Sequence, residues 1–91
     1  MPRYIVERRV PSADRLTDGE LAQMARTSVA AADSLGVPFT WLTSYVAGDK
    51  IYDLHEAEDE DCVVEQLRRG GFSADLVVQV TRELGPADAA T

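Results

Sequence analysis

The predicted fold class is α+β, with the ferredoxin-like βαββαβ order of elements. Two stretches with helical periodicity alternate with four short stretches rich in β-branched and aromatic residues. This order predicts a four-stranded antiparallel sheet, with strands in the spatial order four, one, three, two and both helices on one face. The other face has no predicted cover, so we expect a second copy to pack on it, giving a dimeric α+β barrel-like homodimer.

The first strand and the first helix have clear sequence signals. Arg3–Val10 mixes β-branched and aromatic residues with charges, which predicts a strand. Thr17 and Glu20 have the spacing of a capping box, in which each side chain satisfies a free amide at a helix start. The apolar stripe that follows ends before Gly36 and Pro38, so we expect a long helix between them.

A β-hairpin is predicted over Phe39–Glu56, with its turn at Gly48 and Asp49. It contains the chain's only Trp, its only His and two of its three Tyr. Because these side chains are the best suited to line a pocket, we assign Trp41 and Tyr45 as candidate ligand-binding residues.

The second half predicts a helix followed by a strand. Glu56–Asp61 holds five carboxylates, and the helix that follows ends in basic residues at Arg68 and its neighbour, so both ends complement the helix dipole. Leu76–Leu84 is rich in β-formers and predicts the fourth strand. We expect one domain over residues 1–86 and a flexible tail over residues 87–91.

Strand alternation assigns side chains to the two faces of the sheet if the more apolar set faces the helices. On this basis the inward set is Tyr4, Val6, Tyr52, Leu54, Val78, Val80 and Leu84. Glu7, Asp53 and His55 are then expected to lie close together on the uncovered face, because the first and third strands are neighbours.

One imidazole with two carboxylates suits a divalent transition metal. The spacing of Asp53 and His55 points both side chains the same way from a strand, so we name His55, Asp53 and Glu7 as candidate metal ligands. Two alternatives remain open for His55. It could be a solvated histidine beside acids, or a general acid/base oriented by Glu7.

Composition excludes several classes of function. A net charge of −7 repels a phosphate backbone, so we expect no nucleic-acid binding. A single cysteine forms no internal disulfide, and the chain has neither a signal-peptide pattern nor an apolar run of membrane-spanning length. We therefore expect a cytoplasmic protein that does not bind membranes. The chain has no nucleophile motif, phosphate-binding glycine loop or zinc-protease motif, which favours a protein that is not an enzyme.

Several short blocks resemble a family of small, largely actinobacterial proteins classed as a domain of unknown function, one of which is described as nickel-binding or nickel-responsive. The blocks are Tyr4-Ile5-Val6-Glu7-Arg8, Trp41 with Ser44-Tyr45-Val46, Asp49-Lys50 with Tyr52, Glu60, and Arg68-Arg69-Gly70-Gly71-Phe72 followed by Ala74-Asp75. The resemblance implies a ferredoxin-like homodimer and a nickel ligand. In that family a His usually follows the residue matching Glu65, where this chain has Gln66, and Asp53 replaces a Cys or an apolar residue.

The leading hypothesis from the sequence is a small cytoplasmic homodimer that binds nickel or another divalent transition metal. The alternative is an enzyme or small-molecule binder of the dimeric α+β barrel type, which uses a pocket between two sheets around Trp41, Tyr45 and His55. A third reading is an interaction module whose exposed face serves only to dimerise.

Overall fold

The computed structural model describes residues 1–90 and has the predicted α+β fold. Its main elements are β1 (Arg3–Arg9), α1 (Asp18–Ser34), β2 (Phe39–Ala47), β3 (Lys50–Ala57), α2 (Glu60–Gly70) and β4 (Leu76–Gln79). Short 3-10 helices lie at Ala13–Arg15 and Pro86–Ala90. The sheet order is β2-β3-β1-β4, and each neighbouring pair is antiparallel. The predicted ferredoxin-like topology is confirmed.

Both helices begin and end where the sequence provides caps. At the start of α1 the Thr17 hydroxyl accepts from the Glu20 amide, and the Glu20 carboxylate accepts from the Thr17 amide. At the start of α2 the Asp59 carboxylate accepts from the amide of Cys62. Gly71 ends α2 with φ of 72°, a left-handed conformation that glycine adopts without steric cost.

The hydrophobic core lies between α2 and the centre of the sheet. Its buried members are Tyr4, Val6, Ala57, Val63 and Leu67. Fully burying one Val or Leu side chain contributes about 1.5 to 3 kcal/mol, so this small set supplies much of the stability of the fold. The antiparallel pairing of β1 with β3 and the packing of α2 on the core together fix the position of the centre of the sheet.

The predicted faces of β3 are wrong. Tyr4 pairs with His55 and Val6 pairs with Asp53, so Asp53 and His55 face the helices. Glu7 pairs with Tyr52 on the opposite face. The prediction placed the more apolar set inside, and it did not allow for polar groups that are buried with partners.

The prediction for β4 is wrong in both its length and its faces. Val77 pairs with Val6 and packs on the core, whereas Val78 pairs with Ile5 on the other face and is 44% exposed. The pairing of β4 with β1 ends at the start of β1. Its last hydrogen bond runs from the Val80 amide to the Arg3 carbonyl. The next partner in the register would be Pro2, which has no amide hydrogen and whose carbonyl accepts from Ala57.

We call the side of the sheet away from the helices the open face, defined by Ile5, Tyr45, Leu54, Leu76 and Val78. Several of these side chains are well exposed, Tyr45 at 65% and Leu76 at 50%. Neither helix within residues 1–90 is long and apolar enough to cross a membrane. Of the tail predicted to be flexible, residues 87–90 belong to the final 3-10 helix and Thr91 lies outside the described residues.

Candidate functional site

A cavity of about 230 Å³ lies on the helix side of the sheet, and it is the candidate functional site. Residues of α1, α2 and the three longer strands line it. Its apolar walls include Leu21, Met24, Ala25, Trp41, Val46 and Leu67. Its polar groups are Arg8, Ser28, Ser44, Asp53, His55 and Gln66. Apolar walls with a few convergent polar groups are typical of small-ligand sites.

His55 is the most unusual of these polar groups. It is 1% exposed, and neither ring nitrogen has a hydrogen-bond partner among residues 1–90. Its ring packs against Phe39, with the two centroids 5.0 Å apart. Burial lowers the pKa of His55 to about 4, with Asp53 raising it and Arg8 lowering it. The imidazole is therefore neutral near pH 7 and offers one N–H donor and one free nitrogen lone pair.

Gln66 is the second buried group with an unused polar atom. Its Nε2 donates to the Ser28 carbonyl at 3.0 Å and to the Ser28 hydroxyl at 3.1 Å, which links α2 to α1. Its Oε1 is buried and has no partner in the described part of the chain. Buried polar atoms are nearly always paired, so Oε1 and the two His55 nitrogens are candidate contacts for a bound ligand or water.

A buried ion pair forms another part of the lining. Arg8 Nε and Nη2 donate to the two oxygens of Asp53 at 2.8 and 3.3 Å, and both side chains are less than a tenth exposed. The guanidinium also lies over the ring of Phe72, 4.6 Å from its centroid. Burial and the paired geometry fix the Asp53 carboxylate in place.

A hydrogen-bond chain connects this ion pair to the edge of the sheet. The Ser44 hydroxyl donates to Asp53 Oδ1 at 2.5 Å, and Trp41 Nε1 donates to Ser44 Oγ at 2.8 Å. The indole of Trp41 is therefore coupled to the ionic groups of the cavity, and its fluorescence is a natural reporter of events there.

The residues that the sequence assigned to a site lie on both sides of the sheet. Trp41, Asp53 and His55 line the cavity. Glu7 lies on the opposite side of the sheet and forms an ion pair with Lys50 at 3.0 Å, which lowers the pKa of its carboxyl. Tyr45 is also on that side, because a bulge between Trp41 and Thr43 shifts the alternation of β2.

Four polar residues of the cavity were not predicted from the sequence as site residues: Arg8, Ser28, Ser44 and Gln66. Arg8 had a usable signal, since it shares strand parity with Tyr4 and Val6 and therefore faces the core. An inward arginine requires an inward acid, and Asp53 is an acid on the neighbouring strand β3, diagonal to Arg8. This reasoning would have placed Asp53 and His55 on the helix side.

No group of three or more His, Cys, Asp or Glu side chains within residues 1–90 is arranged to hold a metal ion. The chain's one thiol, Cys62, packs against the core and does not line the cavity. The neighbouring Asp59 carboxylate and burial raise the pKa of this thiol, so it is protonated near pH 7. Among residues 1–90 the cavity therefore holds His55 and Asp53 but no cluster of three or more His, Cys, Asp or Glu.

Comparison with known proteins places the chain within a described family. A family model described as "Nickel responsive protein SCO4226-like" matches residues 4–80. The crystal structure of SCO4226 from Streptomyces coelicolor A3(2) has the same fold, with a TM-score of 0.75 and 19% identity over 90% of this chain and 99% of that chain. No curated protein matches the chain. The resemblance predicted from the sequence is confirmed.

Proposed function

The chain belongs to the SCO4226-like family of nickel-responsive proteins, and on that premise we propose that it binds nickel(II) in the cavity, with His55 as the first ligand. The observation that carries the proposal is the buried imidazole with two unpartnered nitrogens. Imidazole is a preferred ligand of nickel. A buried nitrogen without a partner is costly unless something binds it, so His55 has a physical reason to take a ligand.

The other groups at the cavity fit nickel(II) in kind, but not in number. Gln66 Oε1 is a neutral oxygen donor without a partner among the described residues. The Asp53 carboxylate already accepts from Arg8 and Ser44, which leaves it less available. His55 and Gln66 are therefore our two proposed ligands, and the remaining coordination positions require groups from outside residues 1–90. Glu7 is not included, because it lies on the other side of the sheet.

The decisive experiment measures nickel uptake by chelator-stripped protein with native mass spectrometry and calorimetry. We expect saturable nickel binding with discrimination against calcium, because nitrogen donors favour transition metals over hard cations. His55→Phe should abolish this binding, since phenylalanine preserves the ring packing against Phe39 and removes both nitrogens. Gln66→Leu should weaken it by about tenfold or more.

Glu7→Gln is the matched control, since it removes a carboxylate that the sequence suggested as a ligand but that faces away from the cavity. It should leave the stoichiometry and affinity unchanged. Nickel binding that survives His55→Phe, in a variant that keeps its circular dichroism spectrum, would remove His55 from the proposal.

The proposal includes a cytoplasmic homodimer that pairs through the open face. Exposed Ile5, Tyr45, Leu76 and Val78 form an apolar surface on a sheet, the kind of surface that a second sheet covers. Ile5→Asp should shift sedimentation equilibrium towards monomer. Val29→Asp is the control, because Val29 is similarly exposed but lies on α1. Equal sedimentation of wild-type protein and Ile5→Asp would contradict this interface.

A second function is favoured by the apolar walls of the cavity. A small organic molecule with hydrogen-bond donors could satisfy His55 and Gln66 without a metal, as in the small-molecule binder suggested by the sequence. Its pocket is the cavity on the helix side and not one between two sheets. Quenching of Trp41 fluorescence by a metal-free ligand, with no nickel bound, would favour this function.

A further inference from the structure

The unpartnered polar groups of the cavity are more buried than much of its apolar wall. His55 and Gln66 line the cavity and are each 1% exposed. Val46 also lines it and is 40% exposed, and Leu21 and Met24 are half-buried. A ligand that fits this arrangement has an apolar body and a polar group at its inner end.

The unpartnered atoms determine which polar group the ligand carries. Among residues 1–90 they are the two ring nitrogens of His55 and Gln66 Oε1. One nitrogen of a neutral imidazole donates and the other accepts, and an amide oxygen only accepts. Two of the three atoms are therefore acceptors, which a ketone, an ether or a hydrocarbon cannot satisfy. A hydroxyl both donates and accepts, so it can pair with either His55 nitrogen, whichever carries the proton.

The charges at the cavity favour an uncharged ligand. Arg8 Nε and Nη2 donate to the two oxygens of Asp53 at 2.8 and 3.3 Å, so the buried guanidinium and carboxylate already neutralise each other. A carboxylate or ammonium group bound beside this pair would be a buried charge without a counter-ion, which is costly. The polar group of the ligand is therefore one that stays neutral near pH 7.

The size and the walls of the cavity favour an aromatic ring as the apolar body. The volume of about 230 Å³ exceeds the roughly 150 Å³ of an apolar cavity that takes up benzene. The indole of Trp41, the thioether of Met24 and the ring of Phe72 belong to the lining. Such groups pack favourably against a further aromatic ring. A phenol hydroxyl ionises only at about pH 10, so it is neutral near pH 7, and it donates more strongly than an aliphatic hydroxyl.

We propose that the cavity binds a small neutral phenol, whose ring packs on the apolar walls and whose hydroxyl pairs with a nitrogen of His55. The inference rests on the second function proposed above, a small-molecule site without a metal, and it names the class of the ligand. Nickel is not required for this binding, so a single preparation of the protein distinguishes it from the nickel proposal.

The test is titration calorimetry of chelator-stripped wild-type protein with four compounds that share a six-membered ring and a methyl group: 4-methylphenol, toluene, 4-methylcyclohexanol and 4-methylbenzoate. We expect 4-methylphenol to bind about tenfold more tightly than toluene, because its hydroxyl makes a hydrogen bond that toluene lacks. The cyclohexanol keeps a hydroxyl without an aromatic face and should bind more weakly than 4-methylphenol. The benzoate should not bind detectably, because it brings a charge into the cavity.

His55→Phe tests the partner of the hydroxyl. Phenylalanine preserves the ring packing against Phe39 and removes both nitrogens. The variant should bind 4-methylphenol no more tightly than toluene, while its affinity for toluene stays close to that of the wild-type protein. An equal loss of affinity for both compounds would contradict a hydrogen bond from His55 to the ligand.

A pair of variants on α1 tests the place of binding. Ala25→Phe fills the cavity from α1 and should abolish the binding of 4-methylphenol. Val29→Phe lies on the same helix, exposed and outside the cavity lining, and should retain it. If Ala25→Phe fails to fold, the comparison of the four compounds on the wild-type protein still decides the question.

The remaining outcomes overturn the inference in distinguishable ways. Toluene that binds as tightly as 4-methylphenol would refute the role of the hydroxyl, and 4-methylcyclohexanol that does so would refute the aromatic class. Tighter binding of 4-methylbenzoate would identify a site for anions instead. If none of the four compounds binds and the same protein takes up nickel, the inference is refuted and the nickel proposal stands. If the protein binds neither the compounds nor nickel, both are refuted.

Discussion

The two faces of the sheet differ in which side chains they bury and which they expose. The helix side buries charged and polar groups, Arg8, Asp53, His55 and Gln66, around a cavity. The open face exposes apolar groups such as Ile5, Tyr45 and Val78. The cavity part of the helix side thus departs from the usual arrangement, in which apolar residues face the helices and polar ones face water, while the part under α2 holds the apolar core.

The difference shows how each face is suited to its partner. Burying polar groups costs free energy unless each one is paired, and three atoms of His55 and Gln66 are not paired within the described chain. That cost is consistent with a site kept ready for a ligand. The open face has unburied apolar area, which suits a second protein surface.

The largest expected effect separates two ion pairs that lie on the two faces. Asp53→Ala leaves the Arg8 guanidinium buried and unpaired, so it should lower the free energy of unfolding by about 3 to 5 kcal/mol in urea titrations. Glu7→Ala breaks the ion pair with Lys50 on the open face, where both side chains are partly exposed. It should change the free energy of unfolding little. Equal losses of unfolding free energy in Asp53→Ala and Glu7→Ala would contradict the expected difference between the ion pairs of the two faces.

A double variant refines this result. Replacing both partners, Arg8→Met with Asp53→Leu, should recover most of the stability lost in Asp53→Ala, because no charge is then left buried. A double variant as unstable as the single one would show that packing of the Arg8 side chain on Phe72, and not the charge, dominates.

The next effect concerns pH and is specific to the cavity side. Burial lowers the pKa of His55 from 6.5 to about 4, so between these values the unfolded chain binds a proton that the folded protein does not. Stability is therefore complete above pH 6.5 and falls as the pH decreases towards 4, by a total on the order of 3 kcal/mol.

The chain has one histidine, so His55→Phe should give nearly constant stability between pH 7 and pH 5. Urea unfolding of both proteins at half-unit steps of pH measures the difference. A wild-type curve parallel to that of the variant would show that His55 is solvated in the folded state. Because the variant keeps every carboxyl group of the wild-type protein, their contribution is common to both curves and cancels in the comparison.

Sequence patterns were sufficient to predict the fold but not which side of the sheet carries the candidate site. Capping signals, the hairpin and the order of elements predict the topology, because those signals are local. Which face of β3 is buried depends on the ion pair between Asp53 and Arg8, a residue of β1 that is far away in the sequence. The pattern of β3 alone makes Tyr52 and Leu54 the more apolar set against Ile51, Asp53 and His55, which indicates the wrong inward face, and a shift of one residue exchanges the two faces.

The hydrogen-bond chain from Trp41 to the ion pair predicts a smaller loss. Ser44→Ala removes the acceptor of Trp41 Nε1 and one donor to Asp53, so the free energy of unfolding should fall by about 1 to 2 kcal/mol. The Trp41 emission maximum should move as its indole N–H loses its partner. Thr43→Ala, next to Ser44 in β2 but facing away from the cavity, should leave the emission unchanged.

The smallest effect concerns the helix that covers the cavity. Thr17→Ala removes the hydroxyl that accepts from the Glu20 amide, so the free energy of unfolding should fall by about 1 kcal/mol or less. Because α1 lies over the cavity and not over the open face, hydrogen exchange should rise in the first turn of α1, while amides of β1 and β4 keep their protection. Thr81→Ala, at an exposed position beyond β4, is the control. Faster exchange throughout the sheet would mean that α1 and the open face unfold as one unit, and the two faces would then share a single stability.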